Sequence, residues 1–485
     1  MATHDDDFLS LFSGSDSIIH FDNAERSAPE IATLGGIGAA HLRSSGVEKG
    51  ARVAVWMANS EQYLVALAAC AAGGFVAVSV NTRYSAAEAA DLITRCGAVL
   101  TLVDESTPAT PPGPTMAAAE LLIGDKDQSA ATDTSTGTAD DHFVVFTTSG
   151  TTSKPKMVVH KQRSIAVHAR DMATGTGITA DDVVLVAMPL CGVFGLCTLT
   201  SALAAGSTVV MPTGFNVART AELIERHQVT ITHGSDDMFH RLLEHGADLR
   251  SMRWAGYGRF NTSLDGIVER ADAIGGCLTG LYGMSEVQAL FSVRDPAGSP
   301  AERTKAGGTI TAAAASARVV DGELQLKGPS LFAGYLAEGG NSVDDNLTAD
   351  NYDDGWFRTG DLAEQDPSNP REFTYLTRMG DVLRLGGFLV SPVEIETVLM
   401  NLDGVLEAQV VAVDRPSGAR PVAFVISDGP EIDEAGAIAT CRQHLARYKV
   451  PIAVLTIDRF PTTPSANGTK IQRVKLREIA DIALR

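Results

Sequence analysis

Apolar runs of strand length alternate with alanine-rich stretches of helical periodicity through most of the chain. Strand, helix and strand repeated in this order are typical of parallel sheets covered by helices. The glycine pair Gly73-Gly74 predicts the end of the first of these helices, because glycine favours the position after a helix. We therefore predict strands at residues 52–57, 75–80 and 98–103, and helices at residues 59–72 and 85–94.

The alternating pattern is interrupted between residues 105 and 141, where Pro, Thr, Ser, Ala and Asp predominate. This composition predicts a mostly solvated connection, with a short helix near residues 116–123. The apolar run at residues 142–147 predicts the next strand. No internal repeat is evident, so solenoids and propellers are not expected.

The C-terminal part of the chain predicts a small, separate α+β unit. Ser391, Pro392 and Glu394 have the spacing of a helix start, with Ser as N-cap and Pro at the first helical position. That helix should end near Gly404. It is followed by predicted strands at residues 405–414 and 421–427 and by a predicted helix around residues 433–448.

The composition is that of a folded protein with an acidic surface. The chain has 485 residues, of which 45% are apolar and 20% charged, enough for a large buried core. The formal net charge of −20 disfavours nucleic acid as a partner, because an acidic surface repels phosphate backbones. Residues 441–485 differ, with nine Lys or Arg against three Asp or Glu. A basic region on an acidic body suits an anionic ligand held between two domains.

The cysteines and the N-terminus indicate a reducing compartment. Six cysteines are scattered without a C-x-x-C pair, which does not favour disulfides or structural zinc. The first residues lack the basic and apolar regions of a signal peptide, and no apolar run has membrane-spanning length. We therefore expect a soluble, cytoplasmic protein without a membrane span.

The strongest local signal for chemistry follows the strand at residues 142–147. Residues 148–156 (TSGTTSKPK) contain five hydroxyls, one glycine and two lysines, and His160, Lys161 and Arg163 follow without an acidic residue. Hydroxyls, free amides and ammonium groups together favour a polyphosphate-binding loop. The loop does not match the Walker A pattern, and a polar hairpin tip is the alternative interpretation.

Four further segments carry residue types that would complete a nucleotide site. Residues 282–286 (YGMSE) join an aromatic ring to a carboxylate, and a carboxylate beside phosphates suits Mg²⁺. Residues 355–361 (GWFRTGD) end on a carboxylate that suits two ribose hydroxyls. Residues 378–387 lie at the boundary of the two units, and residues 464–470 (PSANGTK) place a lysine after a turn-forming Asn-Gly. Each alone is explained by a turn or a solvated lysine, but all of them in this order are not.

With these motifs the chain resembles the adenylate-forming superfamily of acyl- and aryl-CoA synthetases, firefly luciferase and nonribosomal-peptide adenylation domains. The resemblance runs from about residue 52 to residue 470 and includes Gly322-Glu323-Leu324 with Gly328 and Gly334-Tyr335. It implies an α/β fold, with a large N-terminal domain of parallel and mixed sheets covered by helices, a β-subdomain, and a small mobile α+β C-terminal domain. The implied N-terminal AMP-binding and acyl-binding domain spans residues 1–379 and the C-terminal domain residues 380–485, with the hinge near Asp381.

The resemblance also implies a role for each motif residue. Tyr282 would stack on adenine, Asp361 would bind the ribose hydroxyls, and Lys470 would contact the substrate carboxylate. The implied catalytic residues are Lys470, Glu286 and Arg378, and the implied Mg²⁺ ligands are Thr148 and Glu286. The implied nucleotide-binding residues are Thr148, Ser149, Gly150, Thr151, Thr152, Lys156, Gly258, Arg259, Phe260, Tyr282, Gly283, Met284, Ser285, Asp361, Phe373 and Arg378. The implied acyl-pocket residues are Cys191, Gly192, Val193, Phe194, Gly280 and Gly283, and those of the hinge and coenzyme A tunnel are Asp381, Gly386 and Gly387.

Four positions depart from the family pattern. Ser153 replaces a glycine of the phosphate loop, Gly192 replaces an aromatic or histidine side chain, and Gly380 replaces a frequent lysine beside the hinge. The segment at residues 258–261 (GRFN) differs from the one that usually lies beside adenine. Ordinary family variation is one interpretation, and slow adenylation is the other.

The predicted acyl pocket contains small residues. Gly192, Gly195, Gly280 and Gly283 favour a bulky aryl, polycyclic or branched acid, unless these glycines serve backbone geometry. Asp236-Asp237 either meets a polar group of the substrate or caps a helix beginning near Met238.

The predicted function is an ATP-dependent ligase that converts a small carboxylic acid to an acyl-adenylate and transfers the acyl group to coenzyme A, with Mg²⁺ as cofactor. One alternative is a ligase specialised for the thioester-forming step with weak adenylation. Others are an adenylation enzyme that loads a carrier protein, and a non-catalytic binder of acyl-adenylates. A homodimer is left open.

Overall fold

The computed structural model describes residues 6–122, 136–148, 155–260, 264, 266–339, 342–385, 388–415, 418–429, 432–465 and 468–484, with the backbone alone at 384, 388–389, 464–465 and 468–470. The strands are β1 (Ile18–Phe21), β2 (Glu25–Ser27), β3 (Arg52–Trp56), β4 (Val76–Ser79), β5 (Leu100–Val103), β6 (Thr115–Ala117), β7 (His142–Thr147), β8 (Met157–Lys161), β9 (Val183–Leu185), β10 (Thr208–Met211), β11 (Ile231–Ser235), β12 (Trp254–Gly258), β13 (Leu278–Met284), β14 (Gln288–Val293), β15 (Gly307–Ile310), β16 (Ser316–Val320), β17 (Glu323–Lys327), β18 (Gly334–Tyr335), β19 (Tyr352–Asp353), β20 (Trp356–Gln365), β21 (Glu372–Arg378), β22 (Leu383–Leu385), β23 (Phe388–Val390), β24 (Val405–Val413), β25 (Arg420–Ser427), β26 (Val454–Thr456), β27 (Thr462–Ser465) and β28 (Gly468–Ile471). The helices are α1 (Ser10–Ser13), α2 (Ala28–Ser44), α3 (Glu61–Gly73), α4 (Ala86–Arg95), α5 (Gln162–Thr176), α6 (Val193–Ala205), α7 (Val217–His227), α8 (Asp236–His245), α9 (Ile267–Asp272), α10 (Pro300–Arg303), α11 (Asp345–Ala349), α12 (Pro392–Met400), α13 (Glu434–His444) and α14 (Arg473–Ala483).

The first large sheet has the strand order β18-β8-β7-β4-β3-β5-β6. Strands β7, β4, β3, β5 and β6 run parallel, and β8 and β18 add antiparallel neighbours at one edge. Every residue of β3 is buried, as expected for a parallel strand covered on both faces. The α/β class and the strands predicted near residues 52–57, 75–80 and 98–103 are confirmed.

The second large sheet changes from parallel to antiparallel at one strand. Its order is β16-β17-β20-β21-β15-β14-β13-β12-β11-β9-β10-β1-β2. Strand β13 pairs in parallel with β12 on one side and antiparallel with β14 on the other. Ligands of open α/β sheets bind at the carboxyl ends of parallel strands where the topology changes, and the motif at residues 282–286 lies at such a place.

The C-terminal unit, which we define as β22–β28 and α12–α14, has its own hydrophobic cores. Strand β24 pairs antiparallel with β25, and β26 adds in parallel on the far side of β25. Helices α12 and α14 pack against β24. This agrees with the small α+β unit predicted from the sequence.

Two predicted helix ends are wrong. Helix α12 starts at Pro392 but stops at Met400, before Gly404, and its N-cap Ser391 makes no capping bond. Helix α13 stops at His444 because Leu445 is already extended, with φ −123° and ψ 151°. The short helix predicted near residues 116–123 is present as a 3-10 helix at Ala118–Leu122, directly after strand β6.

In the part of the chain that the structure describes, no helix combines the length and the apolar character required to cross a lipid bilayer.

Candidate active site

A cleft of about 1400 Å³ lies where the parallel strands of the second sheet end and the C-terminal unit begins. Its walls come from both parts of the molecule. One wall is formed by residues of β13, β20 and β21 and the connections around them, and the other by residues of α12, β24, β28 and α14. The predicted site residues on these walls are Thr148, Lys156, Val193, Phe194, Gly258, Arg259, Phe260, Tyr282, Gly283, Met284, Ser285, Glu286, Asp361, Arg378 and Asp381.

Glu286 is a buried carboxylate on the wall of this cleft. The Tyr335 hydroxyl donates a hydrogen bond of 3.0 Å to Glu286 Oε1, and the Lys156 ammonium lies 4.4 Å from the centre of the Tyr335 ring. Burial raises the pKa of Glu286, while the positive charge of Arg378 and the Tyr335 hydroxyl act in the opposite direction. A carboxylate surrounded in this way is held ready for a cation that enters the cleft.

Asp361 is a second buried carboxylate, with its side chain only 3% exposed. The Tyr282 hydroxyl donates a hydrogen bond of 2.5 Å to Asp361 Oδ2, and Arg378 Nε lies 3.1 Å from Oδ1. The pKa of Arg378 is raised chiefly by the charge of Asp361, and burial raises the pKa of Tyr282 far above its ordinary value. Both partners therefore orient Asp361 at the cleft wall.

The turn after β13 is held by two histidines that the sequence did not single out as positioning groups. His160 Nε2 lies 2.7 Å from the Ser285 carbonyl oxygen, and His168 Nε2 lies 2.7 Å from that of Ala289. Both are fully buried, and burial lowers the pKa of each to about 4. At neutral pH both rings are uncharged, so each Nε2 donates its hydrogen to the carbonyl.

The predicted phosphate loop is closed at its base by two described residues. Thr148 N donates to the Lys156 carbonyl oxygen at 3.0 Å, and Lys156 N donates to Thr148 Oγ1 at 3.2 Å. The predicted residues Ser149, Gly150, Thr151 and Thr152, and the variant position Ser153, lie outside the described residues.

Two basic residues near this loop do not contribute positive charge to the cleft. His160 is buried and neutral, as described above. Arg163 forms ion pairs with Asp140 at 3.2 Å and with Asp6 at 2.9 Å. Of the basic side chains described between residues 155 and 163, Lys156 is the one that lines the cleft.

The segment at Gly258–Phe260 is oriented by a buried aspartate. Phe260 N donates a hydrogen bond of 2.7 Å to Asp236 Oδ2. Helix α8 begins at Asp236, and its N-cap is Ser235, whose hydroxyl accepts from Met238 N. The prediction that Asp236 and Asp237 cap this helix is therefore wrong, since Asp236 instead supports the segment that carries Arg259.

Phe373 does not reach the cleft. Its side chain is fully buried, and its ring packs edge-on against Tyr282 with centroids 5.3 Å apart. In this structure Phe373 packs against the Tyr282 ring and does not line the cleft, so its predicted nucleotide contact stays a prediction.

The glycines predicted to widen the acyl pocket pack against backbone instead. A Cβ atom would lie 2.3 Å from the Pro189 carbonyl oxygen at Gly195, 2.2 Å from that of Lys305 at Gly280, and 2.6 Å from Ala289 Cα at Gly283. These three glycines permit close approach of the chain and open no space, so they do not indicate a bulky acid. Gly192 is the N-cap of α6.

Cys191, a predicted acyl-pocket residue, is a buried free cysteine in the structure. Burial raises the pKa of its thiol to about 12, so the sulfur remains protonated and unreactive at neutral pH. Val193 and Phe194, on the first turn of α6, line the cleft directly. This end of the cleft is therefore apolar.

The C-terminal unit contributes polar groups to the opposite wall. The backbone of Lys470 lies in β28, where it pairs with Thr463, and Ile471 and Arg473 line the cleft. Arg477 Nη2 donates a hydrogen bond of 3.1 Å to the Gly380 carbonyl oxygen and lies 3.8 Å from Asp381 Oδ1. The predicted residues Gly386 and Gly387 lie outside the described residues.

Among the described residues, no group of three or more His, Cys, Asp or Glu side chains is arranged to hold a metal ion. Glu286 and Thr148, which line the same cleft, supply one carboxylate and one hydroxyl. Such a donor set fits Mg²⁺, which is commonly held by one or two carboxylates, water and substrate phosphates.

Two family models match the chain. The model described as AMP-binding enzyme matches residues 37–336. The model described as AMP-binding enzyme C-terminal domain matches residues 394–467. The first model covers the cleft residues up to Tyr335, and the second covers Glu394, Thr397, Gln409 and Lys449 of the opposite wall.

Characterised proteins of similar sequence are coenzyme A ligases. A 3-[(3aS,4S,7aS)-7a-methyl-1,5-dioxo-octahydro-1H-inden-4-yl]propanoyl:CoA ligase of Mycobacterium tuberculosis is 30% identical, over 91% of this chain and 91% of its own. A 2-succinylbenzoate–CoA ligase of Bacillus licheniformis is 30% identical, over 90% of this chain and 91% of its own. A solved structure of the o-succinylbenzoate CoA synthetase MenE from Bacillus subtilis, with an acyl-adenylate intermediate, matches with a TM-score of 0.83 and 25% identity. That match covers 97% of this chain and 98% of the other.

Proposed function

Because the chain belongs to the family of AMP-binding enzymes, we propose that it joins a carboxylic acid to coenzyme A through an acyl-adenylate, with ATP as the energy source. One observation carries the proposal. Glu286 and Asp361, two buried carboxylates from distant parts of the chain, face one cleft with Arg378 beside them. A site for a nucleotide polyphosphate needs groups for its ribose, its phosphates and a cation, and these residues supply all three.

In the first step of the proposed reaction, the acid carboxylate attacks the α-phosphorus of ATP and pyrophosphate leaves. Asp361 would accept hydrogen bonds from the ribose hydroxyls, and Tyr282 would stack on the adenine. Arg378 and Lys156 would neutralise negative charge that develops on the phosphate oxygens. Positioning and charge neutralisation supply most of the rate acceleration in phosphoryl-transfer chemistry.

We propose Glu286 and Thr148 as the residues that would hold Mg²⁺ together with the ATP phosphates. The cation would neutralise phosphate charge and so make pyrophosphate a better leaving group. The Tyr335 hydroxyl on Glu286 Oε1 would fix the orientation of this carboxylate.

In the second step, the coenzyme A thiol attacks the acyl carbon of the adenylate and AMP leaves, which yields the thioester. We propose that residues 1–379 and 380–485 act as two domains, and that the second rotates about a hinge near Asp381 between the steps. In this proposal Lys470 contacts the substrate carboxylate in the first step, before the rotation. Gly386-Gly387 lies beside coenzyme A in the second step, after the rotation. The independent cores of the C-terminal unit support this division.

We propose a ring-bearing acid as the substrate. The apolar end of the cleft at Val193 and Phe194 favours an apolar acyl group. The relatives named above act on a fused bicyclic propanoate and on 2-succinylbenzoate.

The free cysteines suit a reducing cytoplasm, where ATP and coenzyme A are available.

The test supplies octanoate, malonate, benzoate, ferulate, 2-succinylbenzoate and a bicyclic propanoate in turn, each with ATP, Mg²⁺ and coenzyme A. Pyrophosphate and thioester are measured separately. We expect both products with at least one ring-bearing acid. Thioester from a supplied acyl-adenylate without pyrophosphate release would favour the specialised thioester-forming alternative. Transfer to a carrier protein in preference to free coenzyme A would favour the carrier-loading alternative, and neither product with any acid would refute the proposal.

A further inference from the structure

Asn59 is a buried amide that connects the two large sheets. It follows β3 of the first sheet and is 3% exposed. Its Nδ2 donates to the Met188 carbonyl oxygen at 3.0 Å, and its Oδ1 accepts from Leu190 N at 2.8 Å. Both partners belong to the loop between β9 of the second sheet and α6, which we call the β9–α6 loop (residues 186–192). A single side chain therefore satisfies a carbonyl and an N–H of a loop that belongs to the other sheet.

The same loop is restrained from its other side by Gly195 in the first turn of α6. A Cβ atom at this position would lie 2.3 Å from the Pro189 carbonyl oxygen and 2.6 Å from that of Met188. The loop thus packs directly against helix backbone while Asn59 holds it from the first sheet. Val193 and Phe194, which follow the loop, line the apolar end of the cleft.

We propose that Asn59 is a positioning residue for the acyl substrate. It sets the path of the β9–α6 loop and, through that loop, the place of Val193 and Phe194 against the acyl group. This inference rests on the proposed function, because it assigns the apolar end of the cleft to the acid. Asn59 does not line the cleft itself, so it acts through the loop on acid binding and not on the nucleotide groups around Asp361 and Glu286.

The contact requires both halves of an amide. A carboxylate at position 59 would still accept from Leu190 N, but it has no hydrogen to donate to the Met188 oxygen and would face that oxygen with negative charge. Asn59→Asp therefore keeps the size of the side chain and removes one of the two bonds. Asn59→Ala removes both.

Gln162 provides a matched control. It is also a fully buried amide that joins two segments through backbone, donating to the Ala71 oxygen at 3.0 Å and accepting from Phe8 N at 3.2 Å. None of these residues lines the cleft. Gln162→Glu repeats the change from amide to carboxylate at a place where no acyl effect is expected.

The experiment measures kcat and the KM values for acid and ATP, with the acid of the panel above that gives wild type its highest kcat/KM. Thermal unfolding is followed in parallel. For Asn59→Asp we expect a rise of about tenfold in the KM for the acid, since a lost hydrogen bond to a buried group weakens binding by this order, with the KM for ATP within about twofold of wild type. Gln162→Glu should lower the unfolding temperature about as much as Asn59→Asp does. It should change neither the KM for the acid nor the KM for ATP.

An unchanged KM for the acid in Asn59→Asp overturns the inference. So does a rise in Asn59→Asp that is equal for the acid and for ATP. The inference is also overturned if Gln162→Glu raises the KM for the acid as much as Asn59→Asp does. If Asn59→Ala fails to fold, Asn59→Ser replaces it and should fall between wild type and Asn59→Asp. The absence of any thioester with wild type refutes the proposed function, whereas active enzyme with an insensitive KM for the acid refutes this inference alone.

Discussion

The burial of Glu286 beside two cations decides what its replacement should do. Its Oε1 accepts from Tyr335, and Arg378 and Lys156 act on its charge. Glu286→Gln keeps an acceptor for Tyr335 and removes the negative charge. We expect pyrophosphate release to fall about 100-fold or more, because charge stabilisation at a catalytic site is worth this order, while the unfolding temperature stays the same or rises since a buried charge is lost. Pyrophosphate release and thermal unfolding of the same preparation measure the two effects.

The control for this variant is Glu372→Gln. It removes the charge of a carboxylate that pairs with Arg294 at 2.7 Å. Glu372 does not line the cleft. This control should lose stability and keep its rate of pyrophosphate release. A Glu286→Gln enzyme with the wild-type rate at limiting Mg²⁺ would show that Glu286 does not serve the cation.

Asp361 allows a test of the ribose contact. In Asp361→Asn the side chain keeps its size but loses its negative charge. That charge pairs with Arg378, and the carboxylate also accepts a hydrogen bond from the Tyr282 hydroxyl. We expect the KM for ATP to rise about tenfold or more, because a hydrogen bond to a charged group is lost. The rise should be smaller with 2′-deoxyATP, which has already lost one of the hydroxyl partners, so a double-mutant cycle isolates the contact. Asp353→Asn, an exposed partner of Arg318, should leave both KM values unchanged. Equal losses with both nucleotides would place the ribose elsewhere.

At this scale the sequence identifies chemically active residues better than their partners. Glu286, Asp361, Arg378 and Lys156 stand in recognisable motifs, and all of them line one cleft. The Tyr282–Asp361 hydrogen bond joins residues 79 positions apart. Such pairs depend on strand order in a sheet, and local spacing carries no information about it. For the same reason the sequence could not show that Phe373 lies behind Tyr282.

Among the elements, β8 and α5 act as a support for the turn between β13 and β14. They bring His160 and His168 beneath carbonyl oxygens of Ser285 and Ala289. The left-handed conformations of Gln288 and Leu290, with φ 68° and 59°, lie at the start of β14, directly after this turn. Backbone strain of this kind persists only where surrounding contacts over-determine it. The turn that carries Glu286 is therefore held by elements that precede it by more than a hundred residues.

The buried histidines predict how stability depends on pH. Burial lowers the pKa of His160 and His168 to about 4 and that of His233 to about 3, against about 6.5 in an unfolded chain. Above about pH 6.5 all three are neutral in both states, so their contribution is complete. As the pH falls from about 6.5 towards 4, the unfolded chain binds protons that the folded chain does not, and the free energy of unfolding decreases.

Each of these histidines contributes about 1.4 kcal/mol per pH unit within that window. We therefore expect His168→Gln to reduce the slope of unfolding free energy against pH by about this amount, measured by urea unfolding at closely spaced pH values. His41→Gln, which replaces a partly exposed histidine near Glu120, serves as the control for the same change of side chain outside the buried core. An identical slope in His168→Gln would show that this histidine is protonated in the folded protein.

The elements also show where hydrophobic pattern is sufficient and where it is not. Buried parallel strands such as β3 and β4 were predicted because their residues are apolar except for Arg52 and Ser79 and because a helix follows each strand. The change from parallel to antiparallel pairing at β13 was not predicted. Strands β13 and β14 are both fully or mostly buried, so their hydrophobic patterns do not differ. Helix α12 ends earlier than its pattern indicates, at Met400, although Leu402 and Val405 continue to pack on the same core.

At the scale of the whole molecule, the C-terminal unit meets the rest of the chain at a polar contact. Arg477 on α14 donates to the carbonyl oxygen of Gly380, and a Cβ atom at Gly380 would meet nothing within 4 Å. The glycine is therefore not required by packing in this orientation. A residue without steric need for glycine, at the proposed hinge, suits a backbone that adopts a second conformation.

Arg477 contacts Gly380 and Asp381 at the proposed hinge, so its replacement separates the two steps of the reaction. In the orientation seen here, Ile471 and Arg473 line the cleft together with the groups proposed to bind ATP, which is the arrangement we propose for the first step. Arg477→Ala should weaken this orientation, and we expect about fivefold slower pyrophosphate release, the effect of losing one hydrogen bond to a partly exposed charge. Thioester formation from a supplied acyl-adenylate should be unchanged or faster, because the competing orientation is no longer opposed. Single-turnover measurements of both steps provide the comparison, with Arg442→Ala, on the exposed face of α13, as a control for the lost charge. Equal slowing of both steps in Arg477→Ala would mean that Arg477 stabilises the fold and does not select an orientation.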